Sequence, residues 1–234
     1  GLELKTLDSA QIRQLTGTEI DGLRQRFSEF RNRTLAGLGH GRSLILARGN
    51  HEMCGPFARS LFEYVPTPEG RFFYARDAGP VHLMVLDTGE DKPDHHPVFG
   101  ETAAYEPYRQ RQAVWLAEQV NTPQIADAPF KIVASHHPPY SSGRHGSAKW
   151  ARNLIQPVLE RQGVQLVLSG HDHHYEHWEV GYGNDDLMFD PRDEPTGRTV
   201  HYFCSGGGGA YYIWTDRAEL LGSVDEDRAF TQCH

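Results

Sequence analysis

The chain has 234 residues, of which 38% are hydrophobic, 11% aromatic and 23% charged. That length and composition support a packed core in one large domain or two small ones and argue against a chain dominated by disorder. Lys and Arg number 23 against 31 Asp and Glu, a formal net charge of −8, so the cationic field that general nucleic-acid or anionic-membrane binding requires is missing. No run of about eighteen apolar residues is present, which excludes a spanning helix read from hydropathy.

Thr18 followed by Asp21 is a variant helix-start signal, and Ile20, Leu23, Phe27, Phe30 and Leu38 recur at helical spacing until Gly39 and Gly41. Leu44 to Ala47 reads as a short apolar strand that stops at Arg48-Gly49-Asn50-His51-Glu52. A short helix is expected over 57–64, before Pro66 and Pro68. The runs 72–75 and 81–86 flank Asp77-Ala78-Gly79-Pro80 and predict a hairpin. Residues 88–107 are polar and rich in Pro, Gly and His, as in a long loop, and His95 and His96 within it are expected to be exposed. A helix follows over about 108–120, with Tyr108, Trp115, Leu116 and Val120 on one side.

Phe130 to Ala134 is a strand that ends in Ser135-His136-His137-Pro138-Pro139-Tyr140. A helix near 148–161 carries Pro157 as a kink. Val164 to Leu168 is the next strand and stops at Ser169-Gly170-His171-Asp172-His173-His174. Strands near 175–180 and 199–204 finish the pattern, the last leading into Gly206 to Gly209. Strands and helices alternate as in an α/β layered fold. Each His-bearing segment follows the carboxyl end of a strand, the edge where open α/β sheets bind ligands.

Fourteen His in such a chain call for an account. His171 and His173, at i and i+2 in a loop, can both reach one cation site, and a neutral imidazole is a standard ligand for zinc, iron or manganese. The longer HxHxDH pattern fails, because Tyr175 stands where its Asp is needed. The amide oxygen of Asn50 can complete a site held by stronger ligands, and His51 beside it can act as an acid or electrostatic clamp. His82 alternates with apolar neighbours and reads as structural. Gly206 to Gly209 lacks the Lys-Ser/Thr of a phosphate loop and reads as a turn lining a site wall. Cys54, Cys204 and Cys233 are too few and too scattered for a disulfide framework or a CxxC zinc site.

The order GNHE, then VxxH from Val133 to His136, then GHxH from Gly170 to His173, each after a strand, resembles the calcineurin-like metallophosphoesterase superfamily. Within it the chain is most similar to bacterial purple-acid-phosphatase-like members, with support from 136–142, His145-Gly146, 170–176, 205–210 and Val85 to Asp91. The resemblance spans roughly residues 44 to 210. It implies an αββα sandwich and a single catalytic domain over 1–234, N-terminally incomplete and matching the C-terminal two-thirds of the family domain. It implies a phosphatase or phosphodiesterase acting on a small phosphorylated substrate through a metal-bound hydroxide. Asn50, His136 and His171 would bind one ion of a dinuclear centre and His173 the other, the ions being divalent or trivalent Mn, Zn or Fe. His51 would stabilise the transition state or protonate the leaving oxygen, and His145 would face the substrate. The resemblance also implies an exported, periplasmic or extracellular, location, with a cytoplasmic one left open.

The family's DxH and GDxxD motifs, which supply an Asp to each metal and the bridging carboxylate, do not occur before Asn50. Asp8 lies upstream without the preceding Gly. With too little negative charge between them two close cations repel. The alternative reading is therefore a non-catalytic metal- or phosphate-binding relic or fragment that lacks the bridging carboxylate. The chain opens Gly1-Leu2-Glu3 with no charged-then-apolar leader, as expected for a processed chain or a piece of a longer one.

Overall fold

The computed structural model describes residues 45–53, 61, 67–100, 102–120, 122–181 and 199–207, with scattered helical positions between Asp21 and Gly37. After a one-turn helix, α1 (Asn50–Met53), the chain forms a hairpin of β1 (Tyr74–Ala78) and β2 (Val81–Val85). Gly79 at their turn has φ +60°, which a side chain would oppose. Helices α2 (Tyr105–Val120) and α3 (Pro123–Ala126) lead to β3 (Phe130–Ala134). Helices α4 (Lys149–Leu154) and α5 (Gln156–Arg161) lead to β4 (Leu166–Ser169), and β5 (Tyr175–Gly181) and β6 (Thr199–Ser205) complete the sheet.

The six strands lie in the order β1-β2-β3-β4-β6-β5. Strands β2, β3, β4 and β6 run parallel, while β1 and β5 are antiparallel to their neighbours at the two edges. One face of the sheet carries Met84, Val133, Val167, Trp178, Val200 and Tyr202, which pack with Leu116 of α2, Ala151 of α4 and Leu159 of α5. Each such fully buried large aliphatic side chain contributes about 1.5–3 kcal/mol relative to exposure. Truncating Leu159, wholly enclosed, would cost about 2–5 kcal/mol through lost contacts and a cavity. Trp115 and Trp150 pack against the same cluster, as expected of helix-face residues. This is the α/β layering read from the sequence; the second sheet of an αββα sandwich is not among the described residues.

The strand expected at Leu44 to Ala47 is not one in the described part, residues 45–47. They carry no ladder. Instead the Leu46 carbonyl accepts a hydrogen bond from the Tyr74 hydroxyl at 3.2 Å. Helix α2 starts before Tyr108, at Tyr105. Its first N–H groups, on Tyr105 and Glu106, donate to the Asp94 carboxylate at 2.8 and 3.1 Å, a cap supplied from outside the local sequence. The expected kink at Pro157 is a break at Ile155 between α4 and α5, with the proline in the first turn of α5, where its missing N–H costs little. The helix expected over 57–64 and Asp8 lie almost entirely outside the described residues. His82 is structural: its Nδ1 lies 2.6 Å from Asp77 Oδ1 across the hairpin. Among the described residues no helix is long and apolar enough to cross a membrane.

Candidate metal centre

The parallel strands deliver the site. His136 follows the end of β3 by two residues and His171 follows the end of β4 by two. The GNHE segment reaches them as a self-capped turn: the Glu52 N–H donates to the Gly49 carbonyl at 3.2 Å, and the Gly49 N–H donates to Glu52 Oε2 at 3.0 Å. The Glu52 carboxylate thus serves the turn itself. A side chain at position 49 would displace its neighbours, because a Cβ there would lie 2.9 Å from the His136 ring and 2.8 Å from Glu52 Oε2. One residue earlier, Arg48 stacks over Phe72 and pairs through its guanidinium with the buried Asp87 carboxylate just past β2. That pair fixes the turn against the sheet.

The three predicted ligands of one ion converge. Asn50 Oδ1 lies 2.8 Å from His136 Nε2, which lies 3.2 Å from His171 Nδ1. His137 joins them, since one ring nitrogen from each of His136, His137 and His171 falls within 4.8 Å of the others. Its Nδ1 is held at 2.8 Å by the Thr88 hydroxyl, while its Nε2 is buried without a hydrogen bond. Burial first, and then repulsion from neighbouring imidazolium groups, pushes His136 down to about 3, His137 to about 2 and His171 to about 4. All three are neutral at pH 7 and keep a lone pair for a cation. His171 has φ +67°, a left-handed conformation that costs a non-glycine residue about 1–3 kcal/mol and that clusters at functional sites.

A carboxylate completes the set. Asp91, His145 and His171 bring one donor atom each within 4.8 Å of one another. A hydrogen bond with Glu90, and then Lys92, hold the Asp91 carboxyl well below the usual range. The loop bearing it is shaped by buried Arg109, whose guanidinium donates to the Thr88 and Glu90 carbonyls and lies 4.3 Å from the Trp150 ring centre. His145 is exposed, its ring centre 4.4 Å from that of His171, and its N–H donates to Asp172 Oδ1 at 2.9 Å. The exposed His51 is coupled electrostatically to both His136 and His171.

His173 stands outside both clusters; its Nδ1 is buried with no hydrogen-bond partner. Behind it the loop is knit by buried carboxylates. Asp172 accepts from the Ser141 hydroxyl at 2.5 Å. Glu176 accepts from the Ser142 N–H and the Trp178 indole, and lies 2.7 Å from His174 Nε2. Gly206 backs the same loop, since a Cβ there would meet the Asp172 carbonyl oxygen at 1.9 Å. Gly206, the first residue of the run expected to line a site wall, thus lies against the Asp172 backbone, while Gly208 and Gly209 are outside the described residues.

This donor set, with neutral imidazoles, an amide oxygen, one carboxylate and an orphaned buried Nε2, fits a transition-type cation. Two of its members were missed in the sequence. His137 was passed over for its neighbour, although both follow the strand end in an irregular bend that frees each ring. Asp91 sits in the Val85–Asp91 stretch that contributed to the resemblance, but nothing local marks it as a ligand.

The family model described as calcineurin-like phosphoesterase matches residues 20–175. The chain belongs to that family. It is 26% identical over 188 residues to purple acid phosphatase 4 of Arabidopsis thaliana, covering 75% of this chain and 51% of that protein. It is 42% identical over 138 residues to purple acid phosphatase 17 of the same plant, covering 55% and 40%. Acid phosphatase of Aspergillus ficuum is 27% identical over 164 residues, covering 53% and 26%. Among solved structures, a purple acid phosphatase from yellow lupin (Lupinus luteus) seeds aligns with a TM-score of 0.47 at 18% identity, covering 72% of this chain and 30% of that one. The chain spans about half the length, or less, of the curated relatives it matches.

Proposed function

We propose that the chain carries out metal-dependent hydrolysis of phosphoric esters, the class of substrate brought by its acid phosphatase relatives. The observation that carries this reading is the convergence of Asn50, His136 and His171, which come from three separate segments and meet as neutral, lone-pair-bearing donors. Asn50, His136 and His171 would hold one ion, with His137 and Asp91 at its side and His173 reserved for a second. A cation so held supplies Lewis-acid polarisation of a phosphoryl oxygen and an activated water at neutral pH. His51, exposed at the turn, neutralises charge on the phosphoryl group and donates a proton to the leaving oxygen. His145, exposed beside His171, contacts the incoming phosphate. Buried Asp172 and Glu176 keep the loop between β4 and β5 rigid, so that the donors need little reorganisation on binding.

A second reading, cation or phosphate binding without turnover, is favoured by one observation: Asp91 is the single carboxylate in the two donor clusters at this edge. Elemental analysis of the purified chain, paired with hydrolysis of an aryl phosphate in added Mn2+ or Zn2+, separates the two. Turnover that disappears in His171→Ala supports hydrolysis. Bound metal without turnover supports the second reading, and no metal with either ion removes both.

A further inference from the structure

A second group of donors lies away from this edge. On β5 and β6, Glu179 sits directly opposite His201, and His177 is opposite Phe203. Because side chains alternate along a strand, His177, Glu179, His201 and Phe203 share one face, while Glu176, Trp178 and Val180 are buried on the other. His177 Nε2 lies 2.9 Å from His201 Nδ1 and 3.9 Å from Glu179 Oε1, and His201 Nδ1 lies 3.6 Å from that same oxygen.

We propose that His177, Glu179 and His201 form a separate binding site for a Zn2+-type cation. Bonds of about 2.1 Å in tetrahedral geometry put ligand atoms about 3.4 Å apart, and the three observed separations bracket that value. Two imidazoles and one carboxylate select zinc, cobalt or nickel over magnesium or calcium. The His177 ring is held in place, stacked on Phe203 at 4.2 Å with an interplanar angle of 6° and on His201 at 5.2 Å and 23°. The side chains of His177, Glu179 and His201 are 17%, 36% and 41% exposed, which leaves room for an ion to enter and for water as a fourth ligand.

This site is distinct from the first. His201 pairs with Leu166, the first residue of β4, whereas His171 lies beyond the last, so up to ~17 Å of extended chain separates them. In the absence of an ion one of the two facing nitrogens carries the N–H of this contact; on binding, that proton moves through water to the other nitrogen of its own ring, and the cation takes one lone pair from each imidazole. Occupancy would clamp the edge strand β5, whose first residue follows the His171–His174 loop, onto β6.

The test uses the full chain with His136→Ala and His171→Ala, which disable the first cluster, titrated with Co2+ and followed by visible absorption and by bound-metal analysis. One ion per chain should remain. Adding His201→Gln should abolish it, and adding Glu179→Gln should weaken it about tenfold or more, with circular dichroism unchanged. If the double background fails to fold, the unsubstituted chain serves instead: His201→Gln alone should then lower bound zinc by one ion per chain. Metal content indifferent to both His201→Gln and Glu179→Gln would overturn the proposal, as would no binding in a folded double background.

Discussion

Asp87→Ala removes the anchor of the Asn50 turn. Its carboxylate is fully enclosed and accepts from the Arg48 guanidinium, with Nε at 3.2 Å, and from the Tyr108 hydroxyl at 2.9 Å. The Arg48 side chain is itself only 11% exposed. Truncation leaves a guanidinium with little access to water, and breaking a buried pair from one side costs about 3–5 kcal/mol. That is a large part of the ~5–15 kcal/mol that holds a typical domain together. Arg48→Met combined with Asp87→Leu removes both charges and leaves only the Tyr108 hydroxyl unpartnered, at about 1–3 kcal/mol. The Gln112 bonds survive in both variants, because they go to the Asp87 backbone. Urea unfolding in chelator should therefore show the double variant to be more stable than Asp87→Ala, and adding the single variants Arg48→Met and Asp87→Leu closes a double-mutant cycle. Zinc affinity should fall in Asp87→Ala as Asn50 loses its support. The reasoning fails if Asp87→Ala costs less than about 1 kcal/mol, or if the cycle is additive.

Three further outcomes are expected. His171→Ala should lose the bound ion of the first cluster, whereas His51→Ala should retain it and lower turnover by about 10²–10⁴-fold; metal analysis beside aryl phosphate assays distinguishes the two, and loss of metal in His51→Ala would mean that His51 is a ligand. The metal-free chain should weaken in acid, because His136, His137 and His171 are held at about 3, 2 and 4 when folded and return to about 6.5 when unfolded. The unfolded chain then binds more protons below pH 6.5, so the urea midpoint should drop as pH falls from 6.5 towards 4 and the drop should be shallower in His137→Asn; equal slopes would count against a buried neutral His137. Gly206→Ala places a methyl group against the Asp172 carbonyl, so the chain must shift there, and thermal unfolding should come several degrees earlier; an unchanged midpoint would show that the wall yields freely.

Strand β3 was legible residue for residue, because its five residues, apolar except for Lys131, are bounded on both sides by turn-forming sequence and pair on both edges. Residues 45–47 also form an apolar run, yet whether such a run becomes a strand depends on its meeting a partner strand in register, which is tertiary information. The start of α2 was hidden for a similar reason, since its cap comes from Asp94. In the site, Asn50, His136 and His171 were readable because strand ends set their places. Asp91 was not, because Arg109, eighteen residues further on, folds the loop that carries it. The pairing of His177 with His201 was equally invisible, since it exists only through the β5–β6 register.

The insertion of β6 between β4 and β5 has a consequence for how the chain folds. The His171–His174 loop leaves β4, which is held by β3, and enters β5, but β4 and β5 do not touch; the later β6 must come between them before the β5 end of the loop is fixed. Closing such long-range contacts is slow and entropically costly, and it precedes any reward from the site itself. The far end of the loop that carries His171 and His173 is thus settled late, after the β1–β4 part of the sheet can already form. A cation would meet a nascent chain that still has the wrong shape for it, and would act as a seal on finished assembly rather than as a seed for it.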